Sequence, residues 1–232
     1  MQLAETRCIR RVGEAVQCLS CKGATIKHGH SAAGKQRYYC KNCKSSFVSH
    51  HTYKAYGLTV NKWIRQLVKE GCGIRSIGRL LGISAVTVLK RILSIAKLIL
   101  RPKIIIGKEH ELDELCTYLM KKGCLLWVIY ALRKDTGEVV DFTVGSRSNE
   151  VLNRVVQTLL FSGTKRICTD RLLQYKSLIP ASIHDTRGRS TNHIERRNLN
   201  LRTHLKRLNR RTICYTKSAV MLSACLKIYF WG

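Results

Sequence analysis

The apolar positions of this chain change their spacing along its length. Between Leu58 and Glu70 they recur at the helical period, with Val60, Trp63, Ile64, Leu67 and Val68 on one face. Gly71 and Gly73 end that run, and Ile74–Leu81 predicts a second, short helix. Gly82-Ile83-Ser84 reads as a tight turn with Ser84 as N-cap, and a third helix starts at Ala85. Ile77, Leu81, Ile83 and Val88 then make a small core.

From residue 109 the spacing changes. Leu112–Leu119, Leu125–Arg133 and Glu138–Val144 are rich in apolar and β-branched residues and predict strands, the last two joined by a hairpin turn at Asp135-Thr136-Gly137. Asn149–Phe161 returns to a helical pattern, and Arg166–Asp170 is a short apolar strand ending in a carboxylate. Ser190–Leu208 predicts a long helix that buries Ile194, Leu201, Leu205 and Leu208. Glu195, Asn198, Arg202 and Lys206 form a second stripe at its margin, which places Glu195 beside the core edge.

The first pattern, about twenty residues around Gly82, matches a helix-turn-helix. The second, three meandering strands, a helix, a strand and then helices, is the order of a ribonuclease-H-like fold. Ahead of both, Cys18-x2-Cys21 and Cys40-x2-Cys43 stand 18 residues apart, the spacing of a closed four-thiolate structural zinc site. Gly23, Gly29 and Gly34 supply turns between the pairs, Phe47 packs behind the second, and His28 and His30 read as solvated loop residues. The expected fold class is therefore multi-domain α/β: a zinc ribbon over 1–52, a helix-turn-helix over 53–101, and a ribonuclease-H-like domain with C-terminal helices over 102–232.

Charge makes this picture specific. The 232 residues carry 42 Lys+Arg against 14 Asp+Glu, a net charge of +28. A free compact fold with that charge repels itself, and a polyanion such as nucleic acid relieves it. With 45% apolar residues and two prolines, disorder is excluded. The composition also argues against an extracellular disulfide scaffold or a neutral metabolic enzyme. No signal peptide or membrane-length apolar run stands out. Eleven cysteines, several isolated in apolar runs (Cys116, Cys124, Cys168, Cys225), suggest reduced core thiols. The reading is a soluble, intracellular protein of a reducing compartment such as the cytoplasm.

The charge is uneven. Residues 1–108 carry +18 and residues 151–232 carry +13, but residues 109–150 carry −3. In the last third the carboxylates are Asp170, Asp185 and Glu195 alone. Acids inside a nucleic-acid-binding protein repel its ligand unless a cation lies between them. Asp113 on the first strand, Asp170 on the fourth and Glu195 on a late helix can meet at one end of the sheet and hold two Mg²⁺ ions for in-line phosphodiester displacement. Asn198 and Arg202, one and two turns beyond Glu195, are placed to orient it or to meet the scissile phosphate. Each acid also has a plain reading: Asp113 as a surface residue flanked by Glu111 and Glu114, Asp170 as a helix cap, Glu195 as a partner of Arg202. In the helix-turn-helix, Arg75, Ala85, Thr87, Lys90 and Arg91 are the candidate DNA contacts.

With those residues in view the chain resembles the DDE transposases of the insertion sequence one family over nearly its whole length. The carrying motifs are the two cysteine pairs, Gly71-Cys-Gly-Ile-Arg75 to Val88-Leu-Lys-Arg91, Leu112-Asp113-Glu114 and Thr169-Asp170. Most specific is His193-Ile-Glu195-Arg-Arg-Asn198-Leu-Asn-Leu-Arg202, with 24 residues between Asp170 and Glu195. Arg171 stands where a glycine commonly follows the second acid. The resemblance implies binding of terminal inverted repeats, cleavage of the ends and joining of their 3′-hydroxyls to target DNA. It also implies dependence on Mg²⁺ or Mn²⁺, structural Zn²⁺, double-stranded DNA as partner, and at least a homodimer on the DNA. A zinc-ribbon and helix-turn-helix regulator without catalysis, and a nuclease of the same fold that cuts without joining, stand as alternatives.

Overall fold

The structure is a computed structural model. It describes the chain except residues 1–10, 13, 14, 19, 49–52, 58, 189, 210 and 213. The chain forms two compact units, one of residues 1–64 and 74–88, the other of residues 65–73 and 89–232.

In the first unit a two-stranded ladder, β1 (Arg11–Val12) and β2 (Ala15–Val16), precedes an antiparallel sheet of β3 (Thr25–His30), β4 (Gln36–Cys40) and β5 (Ser46–Val48). Phe47 sits opposite Tyr38 in the β4–β5 register, and the two rings stack 6.2 Å apart. His28 and His30 lie on β3, exposed, rather than in a loop.

Three helices follow: α1 (Val60–Lys69), α2 (Ile74–Leu81) and α3 (Ala85–Leu98). Each matches its expected span to within two residues at the ends that can be compared. Val60, Ile64 and Val68 are buried on α1, Ile77 on α2, and Val88 and Ile92 on α3. Two expectations need correction. Trp63 is 54% exposed, because it lies at the margin of the Val60–Ile64–Val68 stripe, 100° from Ile64. Leu81 is only half-buried. Gly82 has φ +63°, a left-handed turn residue as the sequence required.

The second unit centres on a five-stranded sheet of β6 (Glu109–Tyr118), β7 (Leu125–Arg133), β8 (Val139–Gly145), β9 (Arg166–Cys168) and β10 (His184–Asp185), in the order β10-β9-β6-β7-β8. β6, β7 and β8 form an antiparallel meander, while β9 runs parallel to β6 and β10 parallel to β9. That order and those directions are the ribonuclease-H-like arrangement. Helices α4 (Asn149–Phe161), α5 (Leu173–Leu178), α6 (Asn192–His204) and α7 (Ala219–Trp231) complete the unit.

Both faces of β6 are covered, as its central position demands, and its leucines enter two separate cores. Leu112 joins Ile129, Leu152, Val156, Leu159 and Tyr175 on the α4–α5 side. Leu115 joins Val128, Ile194, Leu201 and Leu226 on the α6–α7 side. The predicted stripe of Ile194, Leu201, Leu205 and Leu208 is buried as expected, although the α-helix itself ends at His204 and a 3₁₀ turn at Lys206–Leu208 carries the last of these residues. The predicted strand at 166–170 ends at Cys168, so Asp170 lies two residues past it. Of the expected core thiols, Cys168 and Cys225 are buried, Cys116 is half-buried and Cys124 is exposed at the end of the β6–β7 connection. Among the described residues no helix is long and apolar enough to cross a membrane.

Candidate active site and metal centres

The four cysteines at ribbon spacing converge. Sγ atoms of Cys18, Cys21, Cys40 and Cys43 all lie within 4.8 Å of one another, with Cys18–Cys43 at 3.6 Å and Cys21–Cys40 at 3.3 Å. Each pair forms a knuckle, and the residue after each, Lys22 and Lys44, has the same left-handed φ of 56°. The backbone N–H of Cys21 heads the groups that draw the Cys18 thiol down to about 6. Four sulfurs around one tetrahedral zinc stand roughly 3.8 Å apart, so the cluster has the dimensions of a zinc ribbon.

The helical turn is built as the sequence suggested. The Ser84 hydroxyl accepts the N–H of Thr87 at 3.1 Å, a standard N-cap. The Tyr53 hydroxyl accepts the Ser84 N–H at 2.7 Å and lies 3.1 Å from the Thr87 hydroxyl. Thr87 is thus held by its own unit. Arg75 and Lys90 are exposed, while Ala85 and Arg91 are half-buried.

The carboxylates assemble through strand register. β6 and β9 pair as Glu109↔Arg166, His110↔Ile167 and Glu111↔Cys168. The ladder ends there, and two residues further along each segment lie Asp113 and Asp170. Oxygens of Asp113, Asp170 and also Glu114 lie within 4.8 Å of one another. Asp113 Oδ2 accepts the Asn198 amide at 2.6 Å, and Oδ1 accepts the Glu114 N–H at 2.7 Å. Tyr130, buried and opposite Asp113 on β7, donates its hydroxyl to Asn198 Oδ1 at 2.8 Å. That bond fixes which end of the amide meets Asp113. Burial, with the neighbouring Glu114 and Asp170 charges behind it, pushes Asp113 up to about 7 against the pull of its two donors. A carboxyl so placed is poised to exchange its proton for a cation.

Glu114 was not singled out by sequence. Its side chain is 1% exposed, Oε2 accepts Arg147 at 3.1 Å, and Oε1 accepts the Tyr175 hydroxyl. Burial raises its pKa, opposed by these two donors. The available signal was period-2 alternation, which turns an acid next to Asp113 into the opposite core. Asp170 is exposed, and its Oδ1 accepts the Leu172 N–H at 3.0 Å at the entry to α5, so the capping geometry and the clustering coexist. Arg171 is not among the residues with positive φ, so the backbone there has no need of glycine.

Glu195 stands apart from the three clustered acids. It is exposed in the first turn of α6, where it accepts the Thr191 hydroxyl at 2.9 Å, and not at the core edge that its stripe suggested. Asn198, one turn on, reaches Asp113 instead of Glu195. Arg202 donates to the Leu208 carbonyl at 2.8 Å and braces the end of the helix.

The sequence profile described as IS1 transposase, of the DDE class, matches residues 104–230, more than half of the chain. The chain belongs to the IS1 transposase family. The matched segment of this transposase holds the whole five-stranded sheet, α4 to α6 and almost all of α7, together with all three predicted acids; the cysteine cluster and the first three helices precede it. Among relatives, the insertion element iso-IS1n protein InsB of Shigella dysenteriae is 35% identical over 108 residues, 47% of this chain and 82% of the relative. The insertion element IS1 protein InsB of Shigella flexneri is 34% identical over 108 residues, with the same shares. The catalytic core domain of the HTLV-2 integrase, solved with magnesium, aligns at 13% identity and a TM-score of 0.36 over 55% of this chain and 86% of that one. The fold assignment rests on strand order and direction, not on that alignment. Family membership makes the chain a DDE transposase, an enzyme that cleaves nucleic acid.

Proposed function

We propose that this transposase binds the terminal inverted repeats of an insertion sequence, cleaves the ends and joins their 3′-hydroxyls to target DNA. Asp113, Asp170 and Glu195 serve as ligands for Mg²⁺ or Mn²⁺, and Cys18, Cys21, Cys40 and Cys43 hold structural Zn²⁺. The observation that supports the catalytic reading best is the approach of Asp113 and Asp170 just beyond the end of the β6–β9 ladder, with Asn198 bridging from the helix that bears Glu195.

The divalent cations, when bound, supply charge stabilisation on the attacking and leaving oxygens of the phosphodiester. The chain's own groups do the rest. Asn198, aimed by Tyr130, holds one oxygen of Asp113 while the Glu114 N–H holds the other, within reach of Asp170. Glu195 and Asn198 lie three residues apart on one helix face, so Glu195 joins the site by turning its side chain from Thr191 towards Asp113. Arg202 stands along this face for the DNA backbone. Residues 1–52 and 53–101 form the end-recognition module, with Arg75, Ala85, Thr87, Lys90 and Arg91 at the DNA, and residues 102–232 form the catalytic domain. The protein works as a homodimer or larger assembly on DNA, in the bacterial cytoplasm.

The test is joining of a pre-cut end to target DNA. Glu195→Gln lowers the rate by at least about a thousandfold, as loss of several kcal/mol of metal-mediated stabilisation demands, and leaves binding to the end intact. Joining at the wild-type rate overturns the triad.

A further inference from the structure

Glu111 and Glu114 flank Asp113 on β6, and the reaction above uses neither. Strand alternation sends them to opposite faces, Glu111 to the α6 side with Asp113 and Glu114 to the α5 side. Glu111 is fully buried. Its Oε1 meets His193 Nδ1 at 2.6 Å, and its Oε2 accepts the backbone N–H of Ile194 at 2.8 Å. Ile194 is in the first turn of α6, where N–H groups have no partner within the helix. A side chain of the sheet thus caps the helix from which Glu195 and Asn198 project.

Glu114 does the corresponding work on the other face. Tyr175, which donates to it, is fully buried on α5, the helix entered directly after Asp170. Asp170 is itself tied to the start of α5 through the Leu172 N–H. Glu114 therefore fastens the segment bearing Asp170 to the strand bearing Asp113, with Arg147 balancing its charge. Buried carboxyls stabilise a fold less well than apolar side chains of the same volume. Packing gives no reason to keep two of them beside Asp113.

We infer that Glu111 and Glu114 are positioning residues, each fixing one of the other two acids relative to Asp113: Glu111 sets Glu195 through α6, and Glu114 sets Asp170 through Tyr175 and α5. This rests on the metal-site reading above.

The experiment uses the full-length, zinc-loaded protein and measures Mn²⁺ affinity without DNA, from the loss of the free Mn²⁺ resonance. Tyr175→Phe deletes one hydroxyl, and Glu111→Gln keeps the side-chain size and one acceptor oxygen. Each weakens Mn²⁺ binding by roughly tenfold, the usual cost of losing a group that orients a metal ligand. Each also raises the Mg²⁺ needed for half-maximal joining by a similar factor, while the rate at saturating Mg²⁺ and the binding of end DNA stay at wild-type values. Should Tyr175→Phe lower the melting temperature, its Mn²⁺ affinity is measured well below the new midpoint, where the variant is fully folded. Wild-type Mn²⁺ affinity in the folded variants overturns the inference, and so does loss of joining that saturating Mg²⁺ does not restore. Asp113→Asn is the control: it abolishes Mn²⁺ binding if the site is where we place it, and wild-type binding in that variant defeats the metal-site reading itself.

Discussion

The two clusters of this chain, four thiols and three carboxyls, are built in opposite ways. The thiols come as two local pairs, each on a knuckle of a few residues, and a single small sheet brings the pairs together. The carboxyls come from positions 113, 114 and 170, and adjacent strands of a five-stranded sheet must be in register before they meet. A thiol cluster of this kind is a source of folding energy once it holds its metal. The carboxyl cluster draws on the stability of the surrounding core, because its charges repel in a partly buried place. One cluster makes its fold, and the other is carried by a fold made elsewhere.

Three measurements press on that contrast. The largest effect is expected at the thiols. Structural zinc contributes about 10–16 kcal/mol in isolated finger peptides, so Cys40→Ser, or chelation of zinc, unfolds the ribbon. The amide spectrum of residues 18–48 collapses, while the sheet around β6 keeps its dispersion. A folded ribbon without zinc breaks the comparison.

At the carboxyls the sign reverses. Asp113 is raised from 3.8 to about 7, so the metal-free fold prefers it protonated. Its penalty is absent at low pH, grows as pH rises from about 4 to 7, and is complete above 7. Asp113→Asn, measured on zinc-loaded protein without added Mg²⁺ or Mn²⁺, therefore gains stability over the wild type across that window, by urea midpoint, and matches it at pH 4. A loss of stability at pH 8 shows the carboxyl to be a structural group after all.

His110, on the same strand but turned into the opposite core, sharpens the point with a smaller and opposite effect. It is fully buried, its Nδ1 lies 3.2 Å from the Thr164 hydroxyl, and burial, helped by Arg133, lowers it from 6.5 to about 4. Stability from this group is whole above about 6.5 and is lost as pH falls towards 4, since the unfolded chain takes a proton that the fold refuses. His110→Asn flattens that part of the stability profile; an unchanged slope refutes the assignment.

The same contrast explains what was legible in the sequence. Local rules hold where neighbours in sequence are neighbours in space. The cysteine pairs, the Ser84 cap, the Gly82 turn and the helix at Asn149–Phe161 all sit where spacing and propensity put them. The ribonuclease-H-like class also followed from element order, although the two-residue strand β10 is too short to leave a pattern. Long-range partners did not. Nothing local reveals that Glu114 meets Tyr175, 61 residues away, or that Asn198 serves Asp113 and not Glu195. Helical periodicity gave Glu195 the correct azimuth beside Ile194, but not its depth, because exposure in a first turn depends on what the helix end packs against.

The pairing of β6 with β9 has a consequence for how such chains can vary. Between β6 and β9 the chain runs through β7, β8 and α4, and the lengths of the turns on that path do not enter the distance between Asp113 and Asp170, since the β6–β9 ladder anchors both segments. Insertions at the 134–138 turn, or ahead of β9 at 162–165, leave the two acids where they are. A single deletion between Arg166 and Asp170 is another matter: it swings the second acid to the wrong face. Length is therefore free at those two turns and fixed over the five residues from Arg166 to Asp170, and insertions among relatives are expected to be spread accordingly.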